Sequence, residues 1–244
     1  MITLTTDFGY VDHYVAAMKG AIFSINPNAR IVDVTHGVRR HDIRHAAYVL
    51  NAILPLFNRA VHVFVVDPGV GTERKGIAAK IGESWYVGPD NGIVTYVVDD
   101  IDEIFEITIE PKSTTFHGRD VFAPAAAYID MGNFEHLKEI KEVYTFPYFK
   151  PRRKGNIVEG EIIHIDGFGN VITNIPKEMV SDVRIIKLLD RFIRFLPSYG
   201  YAHRDELIAL INSEDYLEFA VNQGDASSIL PYEVGDHISL EIQH

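Results

Sequence analysis

The stretch Val61–Arg74, VHVFVVDPGVGTER, decides the fold. Its core is an apolar run, Val63-Phe64-Val65-Val66, with no polar alternation. Such a run predicts a strand buried on both faces, as in parallel sheets covered by helices. The run stops at Asp67-Pro68-Gly69. In open sheets of this kind, ligands bind beyond the carboxyl ends of the strands, and Asp67 falls at that end. A lone carboxylate is costly to bury, so Asp67 must be solvated, paired or in use. Gly69 and Gly71 allow a tight turn and a close backbone approach. Arg74 follows a short loop later and can return to face Asp67.

Outward from this stretch the chain repeats strand, turn with a polar residue, helix. Strands are predicted at Ile2–Thr6 and Arg30–Val34, helices at Val11–Ser24, Ile43–Leu54 and Arg119–Met131, and a strand pair at Ile77–Ile81 and Ser84–Val87. The pattern implies an α/β domain with a mostly parallel sheet in Rossmann-like layers over residues 1–147. Asp7, His36, Asp67 and Asp90 each follow an apolar strand, so they are expected to converge on one crevice. Residues 148–154, YFKPRRK, read as a basic linker. From 155 to 244 short alternating strands separated by turn residues predict an all-β barrel domain.

The 244 residues hold no cysteine, which excludes disulfides, zinc–thiolate sites and cysteine nucleophiles. A formal net charge of −11 argues against a nucleic-acid backbone as partner. No apolar run is long enough to span a bilayer, and MITLTTDFGY does not read as a secretory leader. The expectation is a cytoplasmic protein with no membrane and no nucleic-acid partner.

Three further clusters stand out. Thr114–Phe122, TTFHGRDVF, places His117 and Arg119 at a loop-to-helix junction. Asp166–Asn174, DGFGNVITN, is an ordinary hairpin signal, except that Phe168 suits stacking on a flat ring. Asn212-Ser213 and Asn222-Gln223-Gly224-Asp225 read as loops.

TDFG, DVTH, VVDPGVGTER, GPDNG, TFHGRDVFAP, DGFGNVITN and the NS…AVNQGDAS tail follow one another over nearly the whole chain. Together they resemble the S-adenosyl-L-methionine (SAM) hydroxide adenosyltransferases, or SAM hydrolases, relatives of the fluorinases and chlorinases. The resemblance implies a homotrimer with its site at a subunit interface, cleaving SAM to adenosine and L-methionine with no metal and no cofactor. It implies a catalytic set of Asp67, Arg74 and His117. It gives Asp7 the ribose diol, Asp166 and Ser213 the methionine end, and Asn170 the adenine, with backbone near Asn222 and Gln223 completing that pocket. Either Asp67 or His117 could take the water proton.

The chain departs from the halogenase branch in lacking a hydroxyl residue in Phe116-His117-Gly118, in carrying an acid at Asp67, and in a shorter segment between GPDNG and TF. Two other readings stay open. One is a metal-dependent hydrolase using Asp7, His36, Asp67, Asp90 and His117. The other is a nucleoside-binding protein without turnover.

Overall fold

The computed structural model describes residues 1–243. The chain divides into two compact units, Met1–Phe146 and Pro147–His244.

The first unit contains, in chain order, β1 (Ile2–Thr6), α1 (Tyr14–Ile25), β2 (Ile31–Thr35), α2 (Ile43–Ile53), β3 (Val61–Val65), β4 (Gly76–Ile81), β5 (Ser84–Pro89), β6 (Glu103–Ile107), α3 (Ala123–Asp130) and β7 (Leu137–Glu139). They build one seven-stranded sheet, β2-β1-β3-β5-β4-β6-β7. Every residue of β3 is buried, as a strand without alternation requires. Its side chains alternate between two cores. Val61, Val63 and Val65 pack with Met18 and Ile22 of α1 and Ala123 and Ala126 of α3. Phe64, with Val66 just beyond the strand, packs with Ala46 and Leu50 of α2. The sheet is therefore the middle of three layers.

The sheet is mixed. β2, β1, β3 and β5 are parallel, and β4, β6 and β7 follow beyond β5, each antiparallel to the strand before it in the sheet. The reason is local. Gly82-Glu83 closes a hairpin between β4 and β5, and a hairpin needs no crossover helix.

β1 lies between β2 and β3, so the chain leaving β1 turns to one side of the sheet and the chain leaving β3 to the other. That is a topological switch point, where the carboxyl ends of an open sheet gape. The β1–β3 register ends on Thr6 opposite Val65. Asp7 and Asp67 thus emerge at the same level, one and two residues past that pair.

The second unit contains β8 (Arg152–Lys154), β9 (Ile157–Ile165), β10 (Val171–Pro176), β11 (Ile185–Leu188), β12 (Arg191–Phe195), β13 (Leu207–Ile211), β14 (Tyr216–Val221) and β15 (His237–Gln243). The order is β10-β14-β13-β12-β11-β15-β9-β8, and β9 also pairs with β10. Seven strands close into a barrel, with β8 outside the ring. Val158, Ile162, Val171, Ile186, Ala209 and Phe219 are among its interior residues. A smaller cluster of Ile208, Leu210 and Ala220 is covered by Leu196 and Ala202.

Residues 148–154, expected as a linker, are tied into this unit. Arg152–Lys154 pairs antiparallel with β9. The Phe149 N–H donates to Glu161 Oε2 at 2.7 Å, and Asn174 Nδ2 donates to the Phe149 carbonyl at 2.7 Å. A basic edge strand carries no apolar alternation, so composition alone does not distinguish it from a tether.

Candidate active site

Asp67 and Arg74 meet because the loop between them is folded by its own hydrogen bonds. The Val70 N–H donates to the Asp67 carbonyl at 3.3 Å, and the Thr72 N–H and hydroxyl both donate to the Gly69 carbonyl. Arg74 then lies back across Asp67. Its Nε donates to Oδ1 at 2.8 Å and one terminal nitrogen donates to Oδ2, a bidentate pair. The two side chains are 11% and 5% exposed. The Phe122 ring lies 5.1 Å from the guanidinium carbon and backs it.

His117 arrives from the opposite loop. Gly71, at φ +79°, lies so close to Thr114 that a Cβ there would sit 2.6 Å from the Thr114 carbonyl oxygen. This contact seats the 114–117 loop against the 69–74 loop. His117 immediately precedes a turn of π-helix, Gly118–Phe122, that leads into α3. The same Arg74 terminal nitrogen that pairs with Asp67 donates to His117 Nδ1 at 3.0 Å.

That bond fixes the imidazole. A guanidinium can only donate, so Nδ1 is the acceptor and the neutral ring carries its proton on Nε2. Burial, and then the Arg74 charge, push the His117 pKa below the usual histidine range; Asp67 and Asp120 oppose this without reversing it. His117 is thus a neutral donor at Nε2.

Asp67 and His117, bridged by Arg74, line a cleft of about 350 Å³ at the carboxyl ends of β1 and β3, a size suited to a small molecule. Asp7 lies in the same wall, and its Oδ2 accepts the His41 N–H at 2.9 Å. Phe8, Tyr14 and Phe116 form an aromatic face, with ring centroids 5.2–5.9 Å apart. Asp12, Arg40 and His41 also line the cleft. Reading the sequence missed these three. They follow β1 and β2 in loops whose convergence only the strand order reveals.

The expected convergence of four strand-end residues holds for two, Asp7 and Asp67. His36 is 1% exposed and turns inward. Asp90 lies in a separate depression with Lys75 and Glu142, where its carboxylate accepts the Tyr144 N–H at 2.8 Å and burial pushes its pKa up. Strand-end position puts a residue at the right edge of the sheet but does not aim its side chain. Among the described residues, no three His, Asp or Glu side chains gather as a set able to hold a metal ion.

The barrel candidates occupy turns. Asp166 Oδ1 accepts the N–H groups of Phe168 and Asn170 at 2.8 and 2.9 Å, and Oδ2 accepts Asn170 Nδ2 at 2.9 Å. Phe168 is 81% exposed at the tip of this loop. The Ser213 hydroxyl donates to Glu214 at 2.7 Å. Asn222 Nδ2 donates to the Ala202 carbonyl at 2.9 Å, and Gln223 follows in a turn at φ +59°. Buried Glu218, which the sequence did not flag, accepts the Tyr199 hydroxyl at 2.7 Å. Burial pushes its pKa up to about 7, and Asp166 and Glu214 add to the rise.

An ion pair this shielded is held at an energetic cost unless the surroundings complete its bonding, and here the third member is an imidazole poised to donate. A two-domain enzyme is the class that such a cleft, set at a switch point and followed by a closed barrel, defines. The chain belongs to the SAM hydroxide adenosyltransferase family: the models of that family's N-terminal and C-terminal domains match residues 2–140 and 160–239. It is 40% identical to an (R)-S-adenosyl-L-methionine hydrolase of Methanocaldococcus jannaschii, over 98% of this chain and 95% of that one. It is 28% identical to a fluorinase of an Actinoplanes species, over 91% of each. A solved structure of a conserved protein from Thermotoga maritima superposes with a TM-score of 0.89 at 37% identity, covering 98% of this chain and 99% of that one.

Proposed function

We propose that the protein hydrolyses SAM to adenosine and L-methionine by in-line attack of water on the ribose 5′ carbon. The observation that carries this reading is the Asp67–Arg74–His117 arrangement at the cleft, in a chain 40% identical to a SAM hydrolase.

The sulfonium of SAM is already a good leaving group, so the protein must hold one water behind the 5′ carbon and make it more nucleophilic. Positioning contributes several kcal/mol to such a step. In this reading Asp67 is the proton acceptor. His117 donates from Nε2 to the water oxygen and orients it, because taking a proton at Nδ1 would set a cation against Arg74. Arg74 holds both partners in place, and the carboxylate keeps lone pairs beyond those it gives to the fork. As the water loses its proton, the fixed guanidinium stabilises the negative charge that forms. Asp7 accepts the ribose hydroxyls. A carboxylate at Asp67 repels a halide, which favours water over the halogenase reaction of the more distant relatives.

In the same reading Asp166 takes the methionine ammonium, Ser213 the carboxylate, and Asn170 the adenine with backbone at Asn222 and Gln223. A homotrimer brings these barrel turns to a neighbouring subunit's cleft. The chemistry needs no metal and no cofactor. The enzyme is cytoplasmic, where its permanently charged substrate is confined.

Purified protein incubated with SAM and EDTA tests this. The expected result is adenosine and methionine in equal amounts, with no halogenated nucleoside when chloride or fluoride is added. Loss of turnover under EDTA, or tight adenosine binding with no cleavage, would overturn it.

A further inference from the structure

His36 ends the DVTH motif, and the cleft does not use it directly. It is 1% exposed, and both its Nδ1 and its carbonyl bond to the turn that carries Asp7. The Phe8 N–H donates to Thr6 Oγ1 at 3.2 Å, and the Thr6 hydroxyl gives its own proton to His36 Nδ1, 2.8 Å away, because the ring proton sits on Nε2, which faces the Asp33 carboxylate. On the other side of Asp7, the Gly9 N–H donates to the His36 carbonyl at 2.8 Å. Two residues on, the Val38 N–H donates to the Thr6 carbonyl at 3.3 Å. The residues before and after Asp7 are thus both fastened to the loop after β2, and the same loop gives Asp7 Oδ2 the His41 N–H.

The ring itself is backed by charge. With Nδ1 accepting, Nε2 carries the proton and faces Asp33 Oδ1 at 3.2 Å. The two atoms lie off the line of a directed hydrogen bond and have no other partner, so the contact is electrostatic. Lys19 binds the other Asp33 oxygen at 2.6 Å. Burial would push Asp33 up, but Lys19 and His36 outweigh it and hold the carboxyl below its usual range. Tyr10 meets the imidazole edge-on at 5.0 Å and closes it off. Lys19, Asp33, His36 and Thr6 form one line from the surface of α1 to the Asp7 turn. A fold-stabilising histidine needs no such line, since a packed apolar side chain would fill the same space.

We propose that His36 is a positioning residue that sets the Asp7 carboxylate for the ribose diol, through its bonds to Thr6 and Gly9. This rests on the reading of Asp7 given above. His36 touches no substrate, so its effect belongs to affinity rather than to the chemical step.

The test is a set of full-length variants, each assayed for SAM turnover and, by calorimetry, for adenosine binding. His36→Ala should raise KM and the adenosine Kd about tenfold while kcat stays within about threefold. His36→Asn places an acceptor oxygen where Nδ1 stood and should recover most of the affinity. His36→Gln places its polar group near Nε2 and should not. In a double-mutant cycle with Asp7→Ala, removing His36 should cost nothing further. Equal effects of Asn and Gln, a loss in kcat alone, or additive losses in the cycle would overturn the proposal. Should His36→Ala not fold, the Asn–Gln contrast and the Asn cycle decide. A wild-type protein that neither cleaves SAM nor binds adenosine would instead overturn the reading on which it rests.

Discussion

Arg74 is the residue whose geometry the site depends on most. It fills both oxygens of Asp67 and the free nitrogen of His117 at once, from a position 11% exposed. A lysine keeps the charge but has no fork. Arg74→Lys should therefore lower kcat by about 10- to 100-fold, because the two partners lose their common clamp. Asp67→Ala should lower it by about 100-fold or more, while the adenosine Kd stays within threefold. Steady-state kinetics with parallel calorimetry checks both, and a collapse of adenosine binding in Asp67→Ala would mean that Asp67 holds the ligand rather than activating water. At this scale the sequence was informative in part. Asp67 and Arg74 are seven residues apart, and the Gly-rich turn between them announces the return. The Arg74–His117 bond spans 43 residues, and nothing local encodes it; only the ordered motifs point to His117. His36 shows the converse, since a strand-end polar residue that reads as part of the crevice is turned inward by its bond to Thr6.

Elements bring these residues together through contacts between loops. Gly71 joins the 69–74 and 114–117 loops, and its φ of +79° and its distance to Thr114 each exclude a side chain. Gly71→Ala should separate Arg74 from His117 and reduce turnover about 100-fold, since small misplacements at a reacting centre are costly. Gly9 has a similar φ of +65° but open space around it, so Gly9→Ala should cost only about 1 kcal/mol of backbone strain. Comparing the two variants in activity and melting temperature separates loop contact from backbone preference. The elements themselves were legible where burial imposes a pattern. β3 reads directly from its continuous apolar run, as does β13, Leu-Ile-Ala-Leu-Ile, while β15 follows the alternation of His-Ile-Ser-Leu-Glu-Ile. β7 is three residues, Leu-Lys-Glu, and β8 three basic ones; neither is long enough to show a period. The π-helical turn ahead of α3 has no signature in propensity and merges, in sequence, with the helix it precedes.

Across the whole molecule, two buried groups give the two units opposite responses to pH. His62, in the first unit, is fully buried, its Nδ1 bonded to Thr3 Oγ1 at 2.9 Å, and burial lowers its pKa to about 4. A depressed histidine contributes stability in full above pH 6.5 and loses it as pH falls toward 4, a change on the order of 3 kcal/mol. Glu218, in the barrel, is raised to about 7 by burial. Its contribution is present below about pH 4.5, where the unfolded carboxyl is also protonated, and is lost as pH rises through 7. Trp85 is the single tryptophan and lies in the first unit. Its fluorescence in urea should show that unit weakening from pH 7 to 4.5, less so in His62→Asn. Hydrogen exchange of the barrel should show Glu218→Gln stabilised by at least about 1 kcal/mol at pH 8 and unchanged at pH 4.5.

In the proposed reaction water, activated by Asp67 and held by His117, attacks the 5′ carbon directly. A single turnover of SAM in ¹⁸O-labelled water, with enzyme in excess, tests it. Adenosine should carry one labelled oxygen at its 5′ hydroxyl, and methionine should be unlabelled. Unlabelled adenosine with label in the Asp67 carboxylate would mean that the carboxylate itself attacked, and methylthioadenosine with labelled homoserine would mean attack at the wrong carbon; either contradicts it.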